Sequence, residues 1–291
     1  EAGKRGRKVV VLDHANKAGK KILMSGGGRC NFTNYHIDPE NYISHNLHFC
    51  KSALSRYTQW DFLNLVERHH IAFHERQHGQ LFCDNSAKDI LTMLLTECEQ
   101  AGVSIHLKTK IVSIDLVSEY HFKVSSRMGE LVCQSLVVAS GGLSIPSLGA
   151  SPFGYRLAEQ FGIKVWPTSA GLVPFTLQPI DKARFVELSG IAVESIVNNQ
   201  RQQFRENILL THRGLSGPVI LQISSYWQPG EAIAINWLPD LVLFDELKVL
   251  QQQQSPLRLK TILTKYLPKR LVEKLLDEHD IDLPLQRFSD S

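Results

Sequence analysis

The sequence predicts an α/β protein of the nucleotide-binding kind, followed by a second, β-rich unit. Three observations carry this. Lys8-Val9-Val10-Val11-Leu12-Asp13 is a continuous apolar run closed by an acid, the pattern of a strand buried on both faces of a parallel sheet. Two glycine turns, Ser25-Gly26-Gly27-Gly28 and Ala139-Ser140-Gly141-Gly142, follow apolar stretches, and sheets of this class bind nucleotides at such turns. After Trp166-Pro167 the chain changes to short β-like segments separated by turn residues.

The elements follow in order. Ala2-Gly3-Lys4-Arg5-Gly6 reads as a helix end with a glycine cap, so the chain opens as helix end, strand and acid, the second half of a dinucleotide-binding βαβ unit. Residues 41–68 carry a helical pattern in which Phe62, Leu65, Val66 and His69 recur at three and four residues. Ile71-Ala72-Phe73 and Gln80-Leu81-Phe82-Cys83 flank His78-Gly79 as a hairpin, and Asp84-Asn85-Ser86 caps a helix whose stripe is Ile90, Leu91, Leu94 and Leu95, stopped at Gly102. Strands are expected over 104–114, 120–125 and 130–138, and a short helix over 153–161. Beyond Pro167, strands are expected over 172–177, 186–197, 203–210 and 232–237, and helices from Phe244 onward with a break at Leu267-Pro268 and a second helix over 271–276. The run at 251–254 reads as a solvated helix end or linker. The domain expectation is a partial nucleotide-binding domain at 1–165, a β-rich domain at 166–243 and a helical domain at 244–291.

Composition narrows the class. The 291 residues are 43% hydrophobic and 21% charged, an ordinary globular balance with room for one large domain or two to three smaller ones. The net charge of +3 comes from scattered Lys and Arg, so there is no strong nucleic-acid signal. No apolar run has the length of a membrane span, and the first residues lack the apolar core of a signal peptide. Five unpaired-looking cysteines, Cys30, Cys50, Cys83, Cys98 and Cys133, fit a reducing, cytoplasmic setting. The chain starts without Met and ends at Phe288-Ser289-Asp290-Ser291 after a helical stretch; both ends read as cut.

Chemistry concentrates at the glycine turns. Consecutive glycines let backbone N–H groups approach a phosphate closely, and Arg29 adds a planar cation beside them. Cys30 and Asn31 follow without a spacer, which a plain surface turn does not explain. The segment is no Walker-type loop, because no Lys-Ser/Thr follows the glycines; an ATP-pyrophosphatase-like loop would need Asp and Ser where Arg29 and Cys30 stand. Asp13 reads either as the acid that receives a ribose hydroxyl or as a solvent-facing strand end. Residues 139–142 add a second point of contact for one nucleotide. His70, His74 and His78 are four apart, but that spacing aligns ligands only on a helix, and strands are expected here; no metal site is assigned. Thr211-His212-Arg213-Gly214-Leu215-Ser216-Gly217-Pro218 is either a strand end, tight turn and helix start, or a loop facing a substrate.

Taken together, Lys20-Lys21-Ile22-Leu23-Met24-Ser25-Gly26-Gly27-Gly28-Arg29-Cys30-Asn31-Phe32-Thr33-Asn34, Gly171-Leu172-Val173-Pro174, residues 139–146 and residues 211–217 resemble, in order, the motifs of the bacterial BaiN/YhiN-type NAD(P)/FAD-dependent oxidoreductases. The resemblance implies a two-dinucleotide-binding-type (Rossmann-like) FAD domain into which a β-barrel-like and a small helical domain are inserted. In that family the FAD domain opens with a Gly-x-Gly-x-x-Gly turn and closes with a glycine-rich segment; neither stands in this sequence. The family's Glu is Asp13 here, its Thr is Ser140, and its "GRVFP" reads Gly79-Gln80-Leu81-Phe82-Cys83. By resemblance, FAD contacts fall on Asp13, Ser25, Gly26, Gly27, Arg29, Cys30, Asn31, Ala139, Ser140, Gly141 and Gly142, with Ile111 touching the adenine through its backbone.

The leading expectation is therefore an FAD-dependent oxidoreductase that moves hydride between flavin and a small organic substrate, with NAD(P)H as electron donor. The flavin carries the chemistry and the protein binds and orients it. No residue stands out as catalytic acid or base; His212 is a candidate because imidazole titrates near neutral pH. Two alternatives stay open: a tRNA-modifying flavoprotein, and a truncated chain that binds no cofactor and is not an enzyme.

Overall fold

The computed structural model describes residues 1–253 and 255–276. The expected end at 288–291 and the last position of the 251–254 run lie outside the described residues. The chain divides into two compact units, Glu1–Trp166 and Pro167–Ser291.

The first unit opens on a short 3-10 turn, Gly3–Arg5, ended by Gly6 in the left-handed conformation (φ 73°), as the cap reading expects. Strand β1 (Val10–Leu12) follows, then helix α1 (Lys20–Met24), β2 (Asn31–Asn34), α2 (Lys51–Arg56), α3 (Gln59–Arg68), β3 (Phe73–Glu75), β4 (Gln80–Cys83), α4 (Ala87–Gln100) and β5 (Ser104–His106). β5 returns to lie parallel to β1, with Val10 opposite Ser104 and Leu12 opposite His106. A parallel pair needs a crossover, and the whole α1-to-α4 stretch supplies it. The hairpin reading holds: β3 and β4 are antiparallel, and β2 adds to the far edge of β4. The meander β6 (Ile111–Ser118), β7 (His121–Ser126), β8 (Gly129–Cys133) and then helix α5 (Phe153–Gln160) complete the unit.

Its core lies where α3 and α4 cover the β2–β4–β3 sheet. Val66, Cys30, Cys83, Ala87, Ile90 and Met93 are buried together, with Phe32, Phe62, Leu65 and Phe73 packed against them. α3 begins at a reciprocal cap in which the Thr58 hydroxyl accepts from Asp61 N while the Asp61 carboxylate accepts from Thr58 N. Ser86 caps α4 by accepting from Lys88 N, and Gly102 follows the helix with φ 65°. Ala87, Ile90 and Met93 are the buried positions of α4; Leu95, expected in the stripe, is partly exposed. Leu95 borders an open cleft of about 460 Å³ that Leu23, Leu91 and Ile105 also line.

Three expectations are corrected here. The helical pattern over 41–68 is realised only in α2 and α3, because residues 44–48 turn back on themselves: Asn46 N donates to Ser44 Oγ and His48 N to Asn46 Oδ1. Short polar side chains that bond the nearby backbone compete with a helix in this way. The strand expected through 114 is interrupted at Lys108, whose φ is 55°, giving β5 and β6 separately. The strand expected over 130–138 stops at Cys133, and Val137 is 84% exposed. Among the described residues, 136–138 have no neighbouring strand to take their backbone hydrogen bonds, and an apolar run without such a partner stays irregular.

The second unit carries β9 (Phe175–Thr176), α6 (Pro179–Phe185), β10 (Ala192–Asn198), β11 (Gln203–Thr211), β12 (Gly214–Ser216), α7 (Pro218–Ser224), β13 (Ala234–Asn236), α8 (Leu243–Gln252), α9 (Leu259–Leu263) and α10 (Lys269–Leu275). Its sheet runs β13-β10-β11-β12-β9, antiparallel throughout. The strand expected over 186–197 begins instead as a 3-10 turn, Val186–Leu188, and bends at Gly190 (φ 91°) before β10. Likewise, of 172–177 only β9 is a strand. One core joins Leu188, Ile191 and Leu210 to Leu263, Leu267, Leu271 and Val272; α7 covers the sheet through Val219, Ile220 and Ile223. The strands and the last helices thus share one apolar core.

Candidate functional site

Helix α1 ends at Met24, and Ser25 Oγ turns back to donate to Ile22 O at 2.7 Å. The next three residues are all left-handed: Gly26 (φ 55°), Gly27 (φ 66°) and Gly28 (φ 87°). They need glycine for different reasons. A methyl on Gly26 would stand 2.6 Å from Asn31 N and 2.8 Å from Phe82 Cε1, so close approach excludes it. A methyl on Gly27 or Gly28 would meet nothing within 4 Å. Their glycines leave a bare left-handed backbone facing open space, which suits an external group that needs backbone contact. The loop is closed by Cys30 N donating to Ser25 O at 3.0 Å, and Cys83 N donating to Arg29 O at 2.9 Å ties it to β4.

Cys30 does not present its thiol to that space. Its side chain is buried in the core with Cys83 and Val66, and only its backbone belongs to the loop surface. Burial, and next the neighbouring Cys30, push the Cys83 thiol up to about 11. These thiols are packing groups. Asn31 stays exposed at the start of β2.

Asp13 follows β1. Its N donates to His106 O and its carbonyl accepts from Thr109 N, both at 2.9 Å. One carboxylate oxygen accepts from Ala15 N at 2.8 Å, which holds the acid at the mouth of the β1–β5 pair. His14 beside it reaches the loop before α5: a methyl on Gly149 would lie 2.6 Å from His14 Nε2. Residues 139–142 carry no regular structure and are exposed, except for half-buried Gly142. They lie against α1 and α5: a methyl on Gly141 would be 3.6 Å from Lys21 Nζ, and one on Gly142 would be 3.1 Å from Tyr155 Oη. Lys21, on the helix that leads into the first glycine turn, thus has its ammonium beside the second. Sequence reasoning missed Lys21 and Tyr155; Lys21 lay within the quoted motif, but nothing local says that it turns toward residue 141.

Ile111 opens β6 and pairs with Ser126, its side chain packed against the Ile114–Val124–Leu157 core. His212 lies in the second unit, exposed on the turn between β11 and β12. Of the two readings of 211–218, the local structure has the strand end, tight turn and helix start, with the short β12 between turn and helix: Thr211 Oγ1 accepts from Arg213 N and Gly214 N, and Pro218 opens α7. His74 Nδ1 is 2.6 Å from Asp84 Oδ1 on the hairpin, whereas His70 and His78 sit on separate left-handed turns. Among the described residues, no group of three or more His, Cys, Asp or Glu is placed to hold a metal, and no helix is long and apolar enough to cross a membrane.

A family model described as the HI0933-like protein Rossmann domain matches residues 1–200, and one described as the HI0933-like protein barrel and H2TH domain matches residues 169–291. The chain belongs to the HI0933-like family. This is the family that the glycine motifs resemble, and its Rossmann, barrel and H2TH parts give the α/β architecture expected from sequence.

Among its relatives, the chain is 53% identical over 275 residues to the ribosomal RNA dihydrouridine synthase of Escherichia coli (strain K12), covering 94% of this chain and 68% of that protein. It is 45% identical over 282 residues to the ribosomal RNA dihydrouridine synthase of Haemophilus influenzae (strain ATCC 51907 / DSM 11121 / KW20 / Rd), covering 96% and 70%. It is 25% identical over 284 residues to the 3-dehydro-bile acid delta(4,6)-reductase of Clostridium scindens (strain ATCC 35704 / DSM 5676 / VPI 13733 / 19), covering 92% and 68%. These HI0933-like relatives are enzymes, and the chain belongs with them as one. Among solved structures, that of Thermovibrio ammonificans THI4 aligns with 65% of this chain and 66% of its own, at 13% identity and a TM-score of 0.32; so faint a likeness carries no argument.

Proposed function

We propose that this chain is the greater part of a flavin-dependent reductase that acts on uridine in ribosomal RNA. The observation that carries the reading is the 53% identity over nearly the whole chain to a ribosomal RNA dihydrouridine synthase. Conversion of uridine to dihydrouridine adds a hydride and a proton across one carbon–carbon double bond of the uracil ring. Bound flavin, once reduced, would supply the hydride and be left as FAD, and NAD(P)H is the donor we assign for reducing it again. The ribosome puts this work in the cytoplasm.

The residues fit such a cofactor. Gly27 and Gly28 are left-handed, and a methyl on either would meet nothing within 4 Å, so an external group can come close to the backbone there. Lys21 brings positive charge beside Gly141, and Arg29 is an exposed cation directly after the glycines. Asp13, anchored through one oxygen by Ala15 N, is suited to receive ribose hydroxyls, and residues 139–142 stand beside Lys21. These groups bind and orient; the redox chemistry belongs to the flavin.

The test uses the full-length protein that contains this chain. Its visible spectrum is expected to show bound flavin, and its expression in a strain lacking the activity is expected to restore dihydrouridine in ribosomal RNA. A colourless protein that takes up no added FAD refutes the flavin reading. A yellow protein that leaves ribosomal RNA unchanged but reduces an unsaturated ring ketone supports the second reading, a small-molecule reductase, which the similarity to a bile acid reductase favours.

A further inference from the structure

The segment between the glycine loop and α3 has a surface that the flavin site does not use. Residues 41–60 contain no Asp or Glu. Their ionised side chains are Lys51 and Arg56, both exposed and neither held in an ion pair among the described residues. Four rings of this segment face solvent: Tyr42 is 43% exposed, Phe49 79%, Tyr57 55% and Trp60 53%. Exposed large rings this frequent in one segment mark a place where something docks.

Two ring positions are braced from behind. Trp60 stacks on Tyr35 with centroids 5.6 Å apart and planes 24° from parallel, and Gln59 Nε2 donates to Tyr35 O at 3.0 Å. His45 stacks on Trp166 at 4.5 Å, with Lys164 Nζ 3.9 Å from the centre of the Trp166 ring. Such rings are held in place before any partner arrives. The segment also adjoins the candidate site: a polar cleft of about 420 Å³ is lined by Asn31, which ends the glycine loop, and by Thr33, His36 and Tyr42.

Flat rings that present a face, two cations in a stretch with no acid between Glu40 and Asp61, Asp61 itself being engaged in the Thr58 cap, and a polar cleft lined by Asn31 are features that hold single-stranded RNA, whose unstacked bases lie on aromatic side chains while phosphates meet Lys and Arg. An amphipathic helix for a lipid surface would instead line its rings along one helix face; here Tyr42 and Phe49 lie in turns before α2. We propose that residues 41–60 form a stacking surface for a single-stranded loop of RNA, with Phe49 and Trp60 as base platforms and Lys51 and Arg56 on the phosphates. The inference rests on the RNA-substrate reading and adds where that RNA is gripped.

The test measures the binding of a fluorescein-labelled, uridine-rich oligoribonucleotide to the FAD-loaded full-length protein by anisotropy, at several salt concentrations. Phe49→Ala and Trp60→Ala are each expected to raise Kd about tenfold to a hundredfold, with flavin content unchanged and with Trp60→Phe recovering most of the loss. The double variant Lys51→Gln/Arg56→Gln is expected to lower the slope of log Kd against log salt by roughly 1.4. Ring variants that bind as the parent does, in a protein that still makes dihydrouridine, overturn the surface and leave the functional reading standing. A parent protein that binds flavin but no RNA overturns both. Loss of binding to anionic phosphatidylserine vesicles, with RNA binding intact, overturns it in favour of a membrane surface.

Discussion

Replacing Gly26 and Gly27 one at a time by Ala separates the packing role of the loop from its ligand role. Both residues are left-handed, at φ 55° and 66°, so each alanine costs about 1–2 kcal/mol in backbone strain. The two part in what the methyl meets. At Gly26 it stands 2.6 Å from Asn31 N and 2.8 Å from the Phe82 ring, and since Asn31 and Phe82 are paired across β2 and β4, neither yields without opening the sheet. Overpacking of this kind adds about 1–3 kcal/mol. Gly26→Ala should therefore lose about 2–5 kcal/mol in urea unfolding, a large fraction of the stability of a typical domain. Gly27→Ala should lose only the strain, about 1–2 kcal/mol, because its methyl meets nothing within 4 Å. That empty space is where the cofactor backbone contact is assigned, so Gly27→Ala should keep its fold and lose flavin, read as absorbance per mole of protein. Equal urea midpoints for the two variants would refute the packing argument. A fully flavin-loaded Gly27→Ala protein would refute the assignment of the loop as the cofactor wall.

Three further outcomes follow from side-chain geometry. Glu97 on α4 accepts from Lys4 and from His69 Nε2; the Lys4 bond first and the His69 bond next hold its carboxyl down at about 2, against an ordinary 4.5. Its stabilisation is complete above about pH 5 and is lost as pH falls from there through about 2, so Glu97→Gln should cost about 1–2 kcal/mol at pH 7 and progressively less as pH falls toward 2, as a series of urea melts will show. Cys83, fully buried and pushed up to about 11, should resist iodoacetamide at pH 8, as should buried Cys30, while the partly exposed Cys50, Cys98 and Cys133 react; mass spectrometry of labelled peptides checks this, and fast labelling of Cys83 in the folded protein would contradict it. Lys21→Gln should raise the dissociation constant for FAD by about tenfold, the scale of one lost charge-assisted contact, with little change in urea midpoint; an unchanged constant would place Lys21 outside the site.

Much of this was legible from residues near one another in sequence. The left-handed glycine loop, the Gly6 and Gly102 stops, the Ser86 cap and the turn at 211–217 depend on φ preferences and on hydrogen bonds that span a few residues, so composition announces them. Failures came where that local vocabulary was outvoted. The stripe ending at His69 was real, but extending it back to Asn41 ignored Ser44 and Asn46, whose side chains bond their own backbone. Leu136-Val137-Val138 has the composition of a buried strand, yet a strand is made by its neighbours, and among the described residues it has none.

By itself, then, the order of motifs determined the family, the α/β class and the left-handed glycine loop, because each motif is a short stretch whose backbone chemistry is self-contained. Only the tertiary structure decided which way the side chains of that loop face. It turned Cys30 inward onto Cys83, brought Lys21 beside Gly141 and Tyr155 beside Gly142, and left the rings of residues 41–60 in solvent. The reason is physical: each of these outcomes depends on which distant segments close against one another, and no local preference encodes that closure.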